Sequence, residues 1–184
     1  MRNENLRTML YLTLLSVISF LLMYVLEIPL LPAAPFLKYD LSEVIAISTG
    51  FLFGPIAGSV VVLLKSILFF LSGKNQSGWV GLLASALAGL SLVWGTTLLY
   101  HFKKNNNTKV VGVFLGTLLL TVLMTGFNYF FLLGWYGIPT EQFAPYIFTA
   151  IVPFNMIKGL LSTVLSLMVF NLLKDRLNKF IHKD

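Results

Sequence analysis

A chain of 184 residues that is 57% hydrophobic and only 11% charged is not a soluble globular domain, since such domains carry about 25% charged residues. Its net charge of +6 does not mark nucleic-acid binding, because the basic residues gather at the ends of apolar runs, where membrane topology determinants sit. The absence of cysteine excludes disulfides, thiol catalysis and thiolate metal sites.

Taken in chain order, the first uncharged run covers 8–26 and follows Arg2 and Arg7. It is too long for the apolar core of a secretory signal and further spans follow it, so it reads as a retained anchor with a helix at 8–27. The stretch 41–72 would be about 48 Å long as one helix, well beyond the hydrocarbon core. Gly54-Pro55 interrupts it, and proline breaks the ladder inside a helix. Two helices, 41–53 and 55–72, are expected, with Asp40 or Ser42 as N-cap of the first. Lys65 falls inside the second, where it is expected to snorkel or pair with an acidic neighbour. A helix at 78–101 leads to Lys103-Lys104-Asn105-Asn106-Asn107, which reads as a solvated loop. Helices at 110–133 and 145–174 complete the chain, with Asn128 in the fifth and Asn155 and Lys158 in the sixth.

Charge parity supports this division. Basic residues form three groups: Arg2 and Arg7; Lys103, Lys104 and Lys109; and Lys174, Arg176, Lys179 and Lys183. If all face the cytoplasm, an even number of crossings separates them. The Gly54-Pro55 break supplies four crossings before Lys103 and two after Lys109. The expected fold is therefore an all-α bundle of six transmembrane helices, a single domain over 1–184 in the cell membrane, with both termini cytoplasmic. Its outer loops are 28–40, 73–77 and 134–144. Glu27, Asp40, Glu43 and Glu141 fall on that outer side, as do the interfacial anchors Trp79 and Trp135.

The polar residues inside the spans carry the functional reading. An ionisable group at the depth of Lys158 is costly in a membrane and marks a functional site. Asn155 lies three residues earlier on the same helical face. With Asn128 these residues offer an ammonium donor and two amides that donate and accept, a set suited to a heterocycle edge of alternating N–H, N and C=O groups. The structural alternative has the two asparagines bonding between helices and Lys158 paired with Glu43 or Asp40.

The run Phe36-Leu37-Lys38-Tyr39-Asp40-Leu41-Ser42-Glu43, followed by Gly50-Phe51, Gly54-Pro55-Ile56-Ala57-Gly58 and Lys65, resembles the substrate-binding S components of energy-coupling factor (ECF) vitamin transporters. Phe127-Asn128-Tyr129 and Pro153-Phe154-Asn155-Met156-Ile157-Lys158-Gly159 extend the resemblance over nearly the whole chain, most closely to the riboflavin-specific members. The resemblance implies a six-helix bundle that binds one vitamin near its outer side, under a closing first loop. It implies riboflavin as the bound substrate with no further cofactor, Asn128, Asn155 and Lys158 on the pyrimidine edge of the flavin, and Asp40, Leu41 and Glu43 around the pocket. It also implies a membrane-embedded coupling subunit and two ATPase subunits as partners. Family members carry an alanine pair on helix one for docking that subunit; here Thr13, Ser16 and Ser19 are the expected docking residues, small and three apart.

Rival classes are less well supported. An intramembrane protease needs Ser with His or Lys, paired Asp, or His-Glu metal ligands. No histidine lies mid-span, since His101 and His182 both adjoin polar termini. A stand-alone secondary carrier is the main alternative, although no inverted repeat is visible. An S component for folate, pantothenate or a pyridoxine-like vitamin is another, whereas Lys158 disfavours a cationic ligand. The chain has no G-x-x-x-x-G-K-[ST] motif, so ATP-driven transport requires other subunits.

Overall fold

The computed structural model describes residues 2–32, 34–35, 37–74 and 77–181, with backbone alone at 2–5 and 175–181. Phe36 of the quoted motif lies outside the described residues, as do the side chains of Arg176 and Lys179 and all of Lys183. Six helices follow one another: α1 (Arg2–Val25), α2 (Ser42–Phe53), α3 (Pro55–Leu71), α4 (Gly78–Phe102), α5 (Asn106–Trp135) and α6. α6 starts at Phe143–Tyr146, passes through a π turn at Ile147–Ile151 and continues as Val152–Ile181. α5 contains a matching π turn at Asn128–Leu132.

Each boundary has a local cause. Gly54 adopts φ 97, which a residue with a β-carbon rarely tolerates, and Pro55 opens α3 at its first turn, where no N–H is needed. The asparagine-rich segment does more than connect helices. Asn105 caps α5, its side chain accepting from the Thr108 N–H at 2.7 Å, so that helix starts at Asn106 rather than 110. α1 likewise begins at Arg2 rather than at 8, because an uncharged run marks what lipid can cover and a helix continues past it into polar sequence.

Four helices, α1, α4, α5 and α6, are long and apolar enough to cross a membrane. α2 and α3 are shorter, with 12 and 17 residues, or about 18 and 25 Å. The expected all-α fold also carries a small exception. In the 28–41 connection, β1 (Ile28–Pro29) pairs antiparallel with β2 (Lys38–Tyr39), placing Ile28 opposite Tyr39 and Pro29 opposite Lys38.

The bundle is apolar outside and polar within. Leu14, Phe114, Phe130 and Phe148 are exposed, whereas Glu43, Lys65, Asn128 and Asn155 are buried. One apolar core gathers Ile47, Val61, Val62, Leu92, Val93 and Leu120, and a second, around the 28–41 loop, gathers Leu37, Tyr39, Leu133, Ile151 and Phe154. Trp79 and Trp135 meet edge-on at 5.6 Å, tying α4 to α5 beside the 73–77 and 136–139 turns.

The docking face expected on α1 is not one surface. Thr13 is exposed, but Ser16 and Ser19 point into the bundle, 1% and 0% exposed. Ser19 Oγ donates to the Ser42 carbonyl at 2.9 Å, so it ties α1 to the start of α2. Three-residue steps on a helix drift by about 60° each, so Thr13 and Ser19 lie on different faces.

α4 and α5 approach through glycine. A β-carbon on Gly95 would lie 2.6 Å from the Gly116 Cα, and one on Gly112 would collide with the Thr96 carbonyl. Close approach of this kind replaces the hydrophobic driving force that lipid-embedded helices lack. Gly126, also on α5, has open space around it. Gly112→Ala should therefore lower the thermal midpoint of the detergent-purified protein, by a destabilisation of about 1–3 kcal/mol, while Gly126→Ala leaves it unchanged or raises it. Equal effects from the two substitutions would remove the close-packing account.

Candidate functional site

A cavity of about 420 Å³ opens between the 28–41 loop and the helices. That volume lies in the range of about 300–1,000 Å³ typical of small-molecule pockets. α2 makes the space available by its shortness: it begins only at Ser42, beside the mid-helix residues of α3 and α6, and the loop roofs the gap above it. Irregular backbone of this sort is tolerated in a membrane bundle where it lines a cavity.

Four of the expected site residues, Asp40, Asn128, Asn155 and Lys158, line the cavity together. The other two do not. Leu41 packs into the apolar cluster under the loop, and Glu43 lies behind the wall, 1% exposed.

The asparagines sit at the two π turns. Asn128 opens one and Asn155 follows the other, and π turns recur at functional sites because the extra residue re-aims the side chains around it. Each amide is fixed by its own helix: Asn128 Nδ2 donates to the Met124 carbonyl at 2.7 Å and Asn155 Nδ2 to the Ile151 carbonyl at 2.8 Å. They do not bond across helices through these groups. Asn128 Oδ1 is buried with no hydrogen bond among the described residues, so it presents an unused acceptor. Leaving such an atom unpaired costs about 1–3 kcal/mol, a cost that a ligand donor removes.

The charges form one buried group. Lys65 Nζ donates to Glu43 Oε1 at 2.8 Å and to Ser42 Oγ, giving it the acidic partner its sequence position called for. Lys158 Nζ lies 3.9 Å from Asp40 Oδ2 and 4.0 Å from Glu43 Oε1, near enough for charge balance but beyond hydrogen-bond distance. Asp40 Oδ1 accepts from the Ser42 N–H at 2.8 Å, which holds the carboxylate at the head of α2. Burial alone would raise the pKa of this loop carboxyl, but the Lys158 and Lys65 ammoniums and the Ser42 bonds hold it below the ordinary carboxylate value.

Much of the lining was not singled out from the sequence. Gly81, Ala84, Ser85 and Ala88 give α4 a flat wall of small side chains, and Phe69, Met124, Leu132 and Phe154 supply apolar surface. The small-residue spacing on α4 was a readable signal, and Phe154 adjoins Asn155 in the quoted motif. At the mouth, Lys38 pairs with Glu27 at 3.1 Å, and the Tyr136 hydroxyl meets Ser77 Oγ at 2.6 Å. The first closes the base of the β1–β2 loop and the second joins distant parts of the chain, and no local pattern announces either.

Comparison with known proteins matches this architecture. Residues 7–170 fit the model of the family described as ECF transporter, substrate-specific component. The chain is 36% identical to the riboflavin transporter RibU of Streptococcus thermophilus, covering 95% of this chain and 86% of that protein. It is 33% identical to RibU of Staphylococcus aureus, over 93% and 90% of the two chains. Identity with the riboflavin transporter FmnP of Bacillus subtilis is 34%, over 88% and 89%. A solved S component of a bacterial ECF transporter superimposes with a TM-score of 0.76 at 32% identity, covering 99% of both chains. The chain therefore belongs to the substrate-specific components of ECF transporters, as a multi-pass transport protein of the cell membrane and not an enzyme.

Proposed function

We propose that this chain binds riboflavin in the 420 Å³ cavity and serves its uptake as the S component of an ECF transporter. The observation that carries the reading is the one cavity lined by Lys158, Asn155 and Asn128, in which, among the described residues, Asn128 Oδ1 has no partner and Lys158 no acceptor within hydrogen-bond distance. The pyrimidine edge of a flavin presents carbonyl, N–H and carbonyl in a row. Asn128 Oδ1 suits the N–H and the Lys158 ammonium suits a carbonyl, with the Asn155 amide beside them. The small residues of α4 leave room for a flat ring system, and Asp40 stands where ligand hydroxyls can donate to it. The full relatives named riboflavin transporters support the same ligand.

Transport needs an energy source that the chain lacks. No nucleotide-binding motif is present, and the buried acids Asp40 and Glu43 are both engaged with lysines. A coupling transmembrane subunit and two ATPase subunits supply it in this reading. All six helices cross the membrane, α2 and α3 as a hairpin at Gly54-Pro55, with both termini and Lys103 to Lys109 cytoplasmic.

Riboflavin fluorescence titration of the purified protein tests the binding reading. A charge-assisted hydrogen bond is worth about 1.5–3 kcal/mol, so Lys158→Ala should weaken binding roughly ten- to a hundredfold while the protein still folds. Equal affinities for parent and variant would return Lys158 to a structural role.

Topology is open to a labelling experiment on intact cells, which the lack of native cysteine makes clean. An impermeant thiol reagent should modify Ala33→Cys and spare Asn106→Cys; the reverse pattern overturns the six-crossing arrangement. In liposomes the chain alone should bind riboflavin without accumulating it, and addition of the coupling subunit, the ATPases and ATP should start uptake. Concentrative uptake by the lone chain under a proton or sodium gradient would instead identify a self-sufficient carrier.

A further inference from the structure

The two buried lysines occupy different situations although they share the same carboxylates. Lys65, 0% exposed, is fully engaged, with Glu43 Oε1 at 2.8 Å and Ser42 Oγ as its acceptors. Lys158 stands 4.0 Å from the same Glu43 oxygen and hydrogen-bonds to nothing among the described residues. It does not line a lipid face or a packed core but the cavity wall. An ammonium that bonds directly to a buried carboxylate would have to give up that bond before taking a ligand carbonyl. The arrangement leaves Lys158 charge-balanced and unspent.

Glu43 is tethered through Oε1 to Lys65. Glu43 Oε2 is buried with no hydrogen bond among the described residues, so this carboxylate has unused acceptor capacity. It sits in a niche that Gly89 of α4 keeps open, since a β-carbon there would lie 2.8 Å from Oε2. A closing movement of about 1 Å would bring it within hydrogen-bond distance of Lys158. Asp40, the other carboxylate near Lys158, is restrained independently through the Ser42 backbone N–H. Lys65 is therefore the partner that engages Glu43, and its bond is the shorter of the two lysine contacts to Oε1.

We propose that Lys65 is a positioning residue for ligand binding: by holding Glu43 it keeps the Lys158 ammonium free for the substrate. This rests on the reading of Lys158 as a ligand anchor. Lys65 touches no cavity surface and acts only through Glu43. Without it, Glu43 is a buried charge with one cation in reach, and a buried carboxylate left alone captures that cation because the low-dielectric surroundings make separation costly.

The test titrates riboflavin into four purified proteins: parent, Lys65→Met, Lys65→Met/Glu43→Gln and Lys158→Ala. Removing one member of a buried pair is disruptive, whereas neutralising both is often tolerated. Lys65→Met should bind roughly tenfold or more weakly, and Lys65→Met/Glu43→Gln should return to within about threefold of parent. A simple packing role for Lys65 would leave the paired variant as weak as the single one, and that result overturns the proposal, as does unchanged affinity in Lys65→Met. If Lys65→Met does not yield folded protein, the paired variant decides: with Glu43 neutralised and Asp40 still held by the Ser42 N–H, it must bind like the parent, and a tenfold loss rejects the proposal. Lys158→Ala separates the two levels. If it binds like the parent, the anchor reading itself fails; if it binds weakly while Lys65→Met does not, only the role of Lys65 fails.

Discussion

Two ammoniums and two carboxylates are buried together where the 28–41 loop meets α2, α3 and α6. In a membrane bundle this grouping is the constraint to which the surrounding structure answers. A lone buried charge is costly by several kcal/mol, and water is scarce as a substitute partner. Three stretches of chain, 40–43, α3 and α6, therefore have to bring each carboxylate within about 4 Å of an ammonium. Once they do, the sum of charge is zero and the start of α2 is fixed. Ser42 is the hinge point of that arrangement. Its N–H goes to Asp40, its hydroxyl accepts from Lys65, and its carbonyl accepts from Ser19 of α1.

Fixing the start of α2 so far into the bundle has a geometric consequence. A helix of 12 residues does not fill the height that α4, α5 and α6 span, and the difference appears as a cavity roofed by the β1–β2 loop. Two of the charges that locate the helix end, Asp40 and Lys158, line that cavity, with Glu43 and Lys65 buried behind them. Cavity and folding constraint thus share residues, and the Lys158 ammonium on the cavity wall is charge-balanced by carboxylates of the protein.

How far the sequence alone led can be judged from particular residues. The Gly54-Pro55 break was legible because a proline without an N–H and a glycine free to take positive φ act locally, and the structure ends α2 and begins α3 there. Lys65 and Lys158 were legible because ionisable residues inside apolar runs demand partners. The Asn105 cap escaped notice inside a polar run, where several asparagines offer the same local chemistry and only the backbone turn selects one. Ser16 and Ser19 turn into the bundle instead of sharing a face with Thr13, a difference the sequence does not carry because small polar residues serve equally for docking and for internal hydrogen bonds. The π turns at Asn128–Leu132 and Ile147–Ile151 gave no warning, since one added residue per turn has no compositional signature.

The sequence by itself determined that this is a membrane protein, where its helices break, and which few polar side chains had to be accounted for. These follow from composition, from proline and glycine stereochemistry, and from the cost of placing charge in hydrocarbon, all of which act residue by residue. Only the tertiary structure decided which lysine is consumed and which is left available. Lys65 and Lys158 carry the same charge in similar apolar surroundings, and their difference is the 2.8 Å or 4.0 Å that separates each from one oxygen of Glu43. That distance depends on how α2, α3 and α6 pack, and packing is a property of the assembled chain rather than of any segment of it.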